Sequence, residues 1–208
     1  MNSLTKQINS LPKETKLLIE TRLKEFSSFK SKTNQDWFSE LCFCILTANS
    51  KAKTALAIQK ELGQKGYLSL SQPKLAQTIR RNKHRFHNNK SKYIVLARNH
   101  KDIKDKILQH ETSRQAREWL AENIKGLGYK ESSHFLRNVG YTDLAILDRH
   151  IINLMLEHNL LKYKPKSLNK KNYLAIEQDF NSLANKLNMS PAKLDLYMWY
   201  LKTGEVLK

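Results

Sequence analysis

The sequence predicts an all-α protein, and three observations carry that expectation. Six glycines and four prolines in 208 residues leave little turn chemistry for a sheet. Apolar residues recur at spacings of three and four along the chain, and no strong alternating strand pattern appears. Leu, Ile, Phe, Trp and Tyr are distributed over the whole length, so a core is available despite a net charge of +18. The length suits one ordinary domain or two small lobes sharing a core.

Each element follows from local signals. Leu11-Pro12 opens a first helix running to about Phe26, and Ser27–Asn34 is a polar link. Trp37–Leu46 is apolar nearly all round, the signature of a buried central helix. Ser50 is placed to cap a helix ending near Gly63, and Ser71 one with Pro73 in its first turn. A helix is expected from Lys92 to about Leu108, and another from a Ser113 cap to Asn123. Ile124–Gly128 reads as a tight hairpin into a helix over Lys130–Val139. Residues 140–147 lead to a helix with Asp148 as cap, and a basic linker, LLKYKPKSLNKK, precedes a helix from Asn172 to about Leu187. Ser190-Pro191 starts the last helix, which ends near Thr203-Gly204.

Composition narrows the function. No apolar run approaches the roughly 18 to 20 residues that span a bilayer, and the first residues lack the apolar stretch of a signal peptide, so a cytosolic protein without membrane contact is expected. Cys42 and Cys44 lie two apart in an apolar helical segment, a poor spacing for a disulfide and a fit to buried thiols in a reducing compartment. Two thiols cannot supply an iron–sulfur cluster, and the seven histidines form no recognisable metal set; no metal or cofactor is expected. The excess of 37 Lys+Arg over 19 Asp+Glu favours a polyanionic partner, nucleic acid first.

Residues 124–151, IKGLGYKESSHFLRNVGYTDLAILDRHI, concentrate the chemistry. Gly126 and Gly128 permit left-handed backbone and close approach, with Leu127 tucked beneath the turn. Backbone N–H groups at the start of the next helix make a phosphate site, with Lys125 beside it, and such a site positions DNA without reading sequence. A plain tight turn is the competing reading. Lys130 lies in the first turn of that helix, where the dipole and Lys125 disfavour an ammonium charge and favour a nucleophilic amine able to attack a sugar C1′. Asp148 can cap its helix and also stabilise a cationic sugar. His134, one turn beyond Lys130, is a candidate phosphate contact or a packed helix histidine. Arg149 and His150 have open roles.

This window resembles the helix-hairpin-helix and Asp signature of DNA base-excision glycosylases, and most closely the archaeal-type second class of 8-oxoguanine DNA glycosylase/AP lyases. Further matches are FCILTANS at 43–50, RFHNNKSKYI at 85–94 and the tail ending on a terminal lysine. The resemblance implies a two-lobed helical fold with DNA in the cleft. Its divisions are an N-terminal helix over 1–33 packing with the C-terminal lobe, a helical domain over 34–140 and a lobe over 141–208. It implies Lys130 and Asp148 as catalytic pair, Phe86 and Trp199 as the sandwich for a flipped base, and the Lys208 carboxylate as acceptor for the N7–H of 8-oxoguanine. The expected partner is double-stranded DNA containing oxidised guanine, bound by a monomer. Phe86 also lies in a run, residues 80–93, with six Lys/Arg and no acid, a mixture that stacks bases while holding phosphates. Three alternatives stay open on the residues alone: a non-catalytic DNA clamp, a monofunctional glycosylase for another damaged base, and an RNA- or ribosome-associated protein.

Overall fold

The computed structural model describes residues 3–208, and every regular element among them is helical. Helices α1 (Ser3–Asn9) and α2 (Lys13–Ser28) precede α3 (Asn34–Thr47), α4 (Ala52–Ser69), α5 (Gln72–Arg81), α6 (His87–Ala97) and α7 (Ile103–Leu108). Then come α8 (Ser113–Asn123), α9 (Tyr129–Asn138), α10 (Arg149–Glu157), α11 (Lys170–Lys186) and α12 (Pro191–Thr203). None of these helices is long and apolar enough to cross a membrane.

Two buried clusters organise the chain. Every residue of α3 from Trp37 to Thr47 is buried, and around it pack Ile79, Ile94, Ile103, Leu120, Phe135 and Leu136. Complete burial of such side chains contributes roughly 1.5–3 kcal/mol each. The Trp37 indole meets Phe135 edge-on and donates its Nε1–H to the Phe29 carbonyl at 2.8 Å, so the largest core side chain leaves no polar atom stranded. The second cluster joins Leu4, Ile8, Ile19 and Phe26 of α1 and α2 to Leu147, Ile151, Met155, Phe180, Leu194 and Met198. The chain passes from the first cluster to the second between Leu144 and Ala145, three residues before Asp148.

Buried ion pairs link the helices of the two clusters. Arg117 of α8 donates to both carboxylate oxygens of Glu177 on α11, at 2.5 and 2.8 Å. Arg137 of α9 donates to Asp195 of α12 at 2.5 Å.

Several sequence expectations are corrected. Helix α1 was not anticipated; its only buried residues, Leu4 and Ile8, are one turn apart, too short a pattern to stand out. The single helix expected over 92–108 is broken into α6, a 3-10 turn at Arg98–His100 and α7. Its buried positions, Ile94, Ala97, Ile103 and Ile107, slip phase between 97 and 103, and the Arg98 guanidinium locks the break by donating to the Tyr67 and Leu70 carbonyls. Thr112, not Ser113, caps α8, in a reciprocal box with Gln115; the Ser113 hydroxyl donates to Asp143 instead. Lys51 rather than Ser50 occupies the cap position of α4, and that helix resumes after a non-helical residue at Gly63. Ser71 precedes α5 without a side-chain capping bond. Asp148 and Ser190 do cap, accepting from the Ile151 and Lys193 N–H groups.

Candidate active site

Helices α8 and α9 form the helix-hairpin-helix. Gly126 has φ +97°, and a Cβ there would stand 2.5 Å from the Tyr93 ring, so both backbone and space demand glycine. Gly128 differs from the expectation: its backbone is extended, and a Cβ would meet only a Glu131 oxygen at 3.5 Å. Leu127 is buried under the turn, while Lys125 and Gly128 are exposed at its tip. Having no side chain, Gly128 cannot cap α9, and the Glu131 carboxylate accepts only a long 3.3 Å bond from the Gly128 N–H. The first N–H groups of α9 therefore have no acceptor from a cap side chain. Gly126→Ala is expected to cost more than about 1 kcal/mol, through the left-handed φ and the Tyr93 clash. It should also weaken duplex binding regardless of sequence, as read by urea denaturation and fluorescence anisotropy.

Behind the hairpin lies an open cleft whose lining includes Thr47, Ser50, Lys130, His134, Arg137, Asp148, Asp195, Trp199 and Lys208. Lys130, His134 and Arg137 occupy successive turns of one face of α9. The Lys130 side chain is about one quarter exposed, and its Nζ lies 3.5 Å from Glu131 Oε1. Asp148 spends only Oδ1 on its cap, accepting from Ile151 N–H at 2.9 Å, and still faces the cleft. Trp199 comes from α12, one turn beyond Asp195, and the His150 ring meets it edge-on at 5.1 Å. This gives His150 a place, bracing the indole, that its sequence position did not disclose.

His134 departs from the expected phosphate contact. Its ring is buried in the cleft wall, edge-on to Phe43 at 5.8 Å, and does not reach the exposed tip of the hairpin. Burial, aided by Arg137 and Lys130, holds it well below the usual histidine value. Neither ring nitrogen makes a well-formed hydrogen bond within the described residues, although the Lys208 main chain is near enough to favour protonation slightly. Phe86 does not line the cleft. It is half-buried at the start of α6 under the Arg85 guanidinium, beside His84, whose Nε2 is 2.9 Å from the Leu46 carbonyl oxygen. That contact ties the Phe86 turn to the end of α3 that supplies Thr47.

Sequence reasoning missed Asp195, Arg137 and Lys90. Burial lifts the Asp195 carboxyl to about 6, against the pull of Arg137 and with a push from Asp148. A carboxylate inside the apolar run LDLYMWYL, one turn from Trp199, was the signal available. Lys90 is buried and donates to the Ile45 carbonyl at 2.7 Å; burial, together with Lys130, lowers it to about 8. Cys42 and Cys44 are fully buried, free thiols whose burial raises them far above the usual range.

Comparison with known proteins agrees with this geometry. The 8-oxoguanine DNA glycosylase family model matches residues 19–189. The 8-oxoguanine DNA glycosylase/AP lyase of Methanocaldococcus jannaschii is 49% identical over 206 residues, 99% of each chain. The crystal structure of the M. jannaschii 8-oxoguanine glycosylase/lyase in complex with a 15mer DNA containing 8-oxoguanine superposes with a TM-score of 0.96 at 48% identity, covering 99% of both chains. That of the 8-oxoguanine DNA glycosylase of Thermotoga maritima gives 0.93 at 40% identity, covering 99% of this chain and 98% of the other. A helical cleft behind a glycine hairpin, matched over nearly its whole length by these relatives, places the chain in the 8-oxoguanine DNA glycosylase family.

Proposed function

We propose that this protein excises 8-oxoguanine from duplex DNA and then nicks the strand at the abasic site. The observation that carries the reading is the convergence in one cleft of an amine, Lys130, a carboxylate, Asp148, an aromatic wall, Trp199, and the chain's own terminus, Lys208. One copy of the chain supplies every one of these groups, so a monomer suffices. The exposed N–H groups of the hairpin and Lys125 hold the phosphates, and the rest of the +18 charge adds salt-sensitive attraction.

Extruding the nucleotide costs a few kcal/mol of stacking and pairing, which stacking in the cleft offsets. Trp199 forms the aromatic wall of the cleft; Phe86 lies outside that lining, under the Arg85 guanidinium on a basic turn, where it can meet the DNA beside the extruded base rather than the base itself. The Lys130 amine attacks C1′ as the C1′–N9 bond breaks and its electron pair leaves with the base. Asp148 stabilises positive charge developing on the sugar. The C1′–O4′ bond then breaks, with a proton passing from the nitrogen to O4′, to leave a Schiff base; this acidifies the C2′ proton, and loss of that proton expels the 3′ phosphate by β-elimination. Discrimination rests on N7, a donor in 8-oxoguanine and a lone pair in guanine. The Lys208 α-carboxylate accepts from the first and repels the second, a difference of a few kcal/mol.

Incubation with duplex containing 8-oxoguanine tests this. Strand nicking without alkali and a borohydride-trapped protein–DNA complex are expected. Neither signal would favour a DNA clamp or an RNA-associated protein, and alkali-dependent nicking a monofunctional glycosylase. Appending two residues after Lys208 should lower 8-oxoguanine excision by roughly tenfold or more; undiminished excision would remove the carboxylate from the recognition scheme.

A further inference from the structure

A terminal residue frays unless something ties it down, and Gly204, Glu205, Val206 and Lys208 are each tied here. Gly204 turns the chain out of α12 with φ +70°, its N–H donating to the Tyr200 carbonyl at 2.8 Å. The Thr203 hydroxyl donates to the Trp199 carbonyl and accepts from the Glu205 N–H. Glu205 pairs with Lys53, and Val206 is buried in the second cluster. These contacts bring residue 208 to the cleft but leave its orientation to its own side chain.

The Lys208 side chain ends in a prepared socket on α3. Its Nζ donates to Glu40 Oε2 at 2.7 Å and lies 4.6 Å from the centre of the Phe43 ring. Glu40 and Phe43 stand on one face of α3, and Glu40 is 1% exposed. The carboxylate is itself fixed: Asn138 Nδ2 donates to Oε1 at 2.7 Å, and Asn138 Oδ1 accepts from Arg137 at 3.0 and 3.1 Å. Arg137 continues to Asp195, so a hydrogen-bonded chain joins the terminal ammonium to the carboxylate beside Asp148. A buried carboxylate is costly unless paired, and here one cation partner is the side chain of the last residue.

We propose that Glu40 is a positioning residue for base recognition: by gripping the Lys208 ammonium against Phe43 it holds the terminal α-carboxylate in place at the cleft. The proposal rests on the reading that this α-carboxylate recognises the base. Four methylenes carry the ammonium from its α-carbon to the Glu40 carboxylate.

Glu40→Gln keeps the shape of the socket and removes its charge. Lys208→Met keeps the stem and the α-carboxylate and removes the ammonium. In both, kcat/KM for 8-oxoguanine duplex should fall at least about tenfold further than nicking of a duplex with a preformed abasic site, because a displaced acceptor harms base recognition. Lys208→Arg should recover part of the loss, and the double variant should be no worse than the poorer single one. Equal losses in both reactions, following a drop in Tm, would make the pair merely structural and overturn the proposal. Excision within twofold of the unmodified chain in both variants, with the two-residue extension still inhibitory, would overturn the Glu40 role and leave carboxylate recognition standing. An extension without effect would overturn the recognition reading and the proposal with it.

Discussion

Lys130→Gln is expected to eliminate the borohydride-trapped complex and to lower 8-oxoguanine excision by roughly 10³-fold or more, since the amide keeps length and polarity but has no nucleophilic lone pair. The fold should survive. Lys130 is partly exposed and its ion-pair contact is a 3.5 Å approach to Glu131, so the change in stability should stay within about 0.5 kcal/mol. Undiminished trapping would move the nucleophile elsewhere, and Lys90 is the amine to examine next. It is held by the Ile45 carbonyl and lies outside the lining of the cleft, which is why it is assigned no covalent step. Asp148→Asn is the informative companion. Asparagine caps a helix as well as aspartate, so α10 keeps its start while the cleft loses a negative charge. Base removal should slow with DNA binding retained, separating the electrostatic role of Asp148 from its structural one.

The parts of the molecule legible in the sequence are those written in local patterns. The all-round apolar character of residues 37–46 reads as burial because no face of such a helix can meet water, and α3 is buried throughout. The hairpin announces itself through Gly126, whose left-handed φ only glycine adopts easily, and the starts of α10 and α12 through Asp148 and Ser190. Lys130, His134, Asp148, Trp199 and Lys208, distant in sequence, meet in one cleft. What stayed hidden is the pairing of buried charges. Arg117 and Glu177, like Arg137 and Asp195, are about sixty positions apart, and among 37 basic residues nothing local marks the ones that turn inward. The break after Ala97 was hidden for a related reason: Arg98 enforces it by reaching carbonyls on a different helix and the turn after it.

Glu177→Gln is the substitution expected to cost the most stability, roughly 3–5 kcal/mol, or a fall in Tm of roughly 6–20 °C. It leaves the Arg117 guanidinium, 2% exposed and set against the Tyr129 and Tyr173 rings, without its counter-charge. Burial works against that cation, yet hydrogen bonds and charge from Glu177 hold it above its usual value, so the pair is strongly coupled. Replacing both partners, as Arg117→Met with Glu177→Leu, should restore much of the loss, because no desolvated charge then remains. Glu157→Ala, which breaks a half-exposed pair with Lys202, sets the scale at under about 1 kcal/mol. The cost should also appear in the chemistry. Glu177 Oε1 accepts from the Ala145 N–H at 3.1 Å, and the Tyr173 hydroxyl donates to the Ala145 carbonyl and accepts from the Leu147 N–H. Those bonds fix the extended segment that ends on Asp148, while Arg117 holds the helix that leads into the hairpin. Loosening the pair therefore frees the carboxylate and the amine of the cleft relative to each other. Single-turnover excision by Glu177→Gln, measured well below its Tm, should be slower than for Glu157→Ala, and equal rates would show that the pair stabilises the fold without aligning the site.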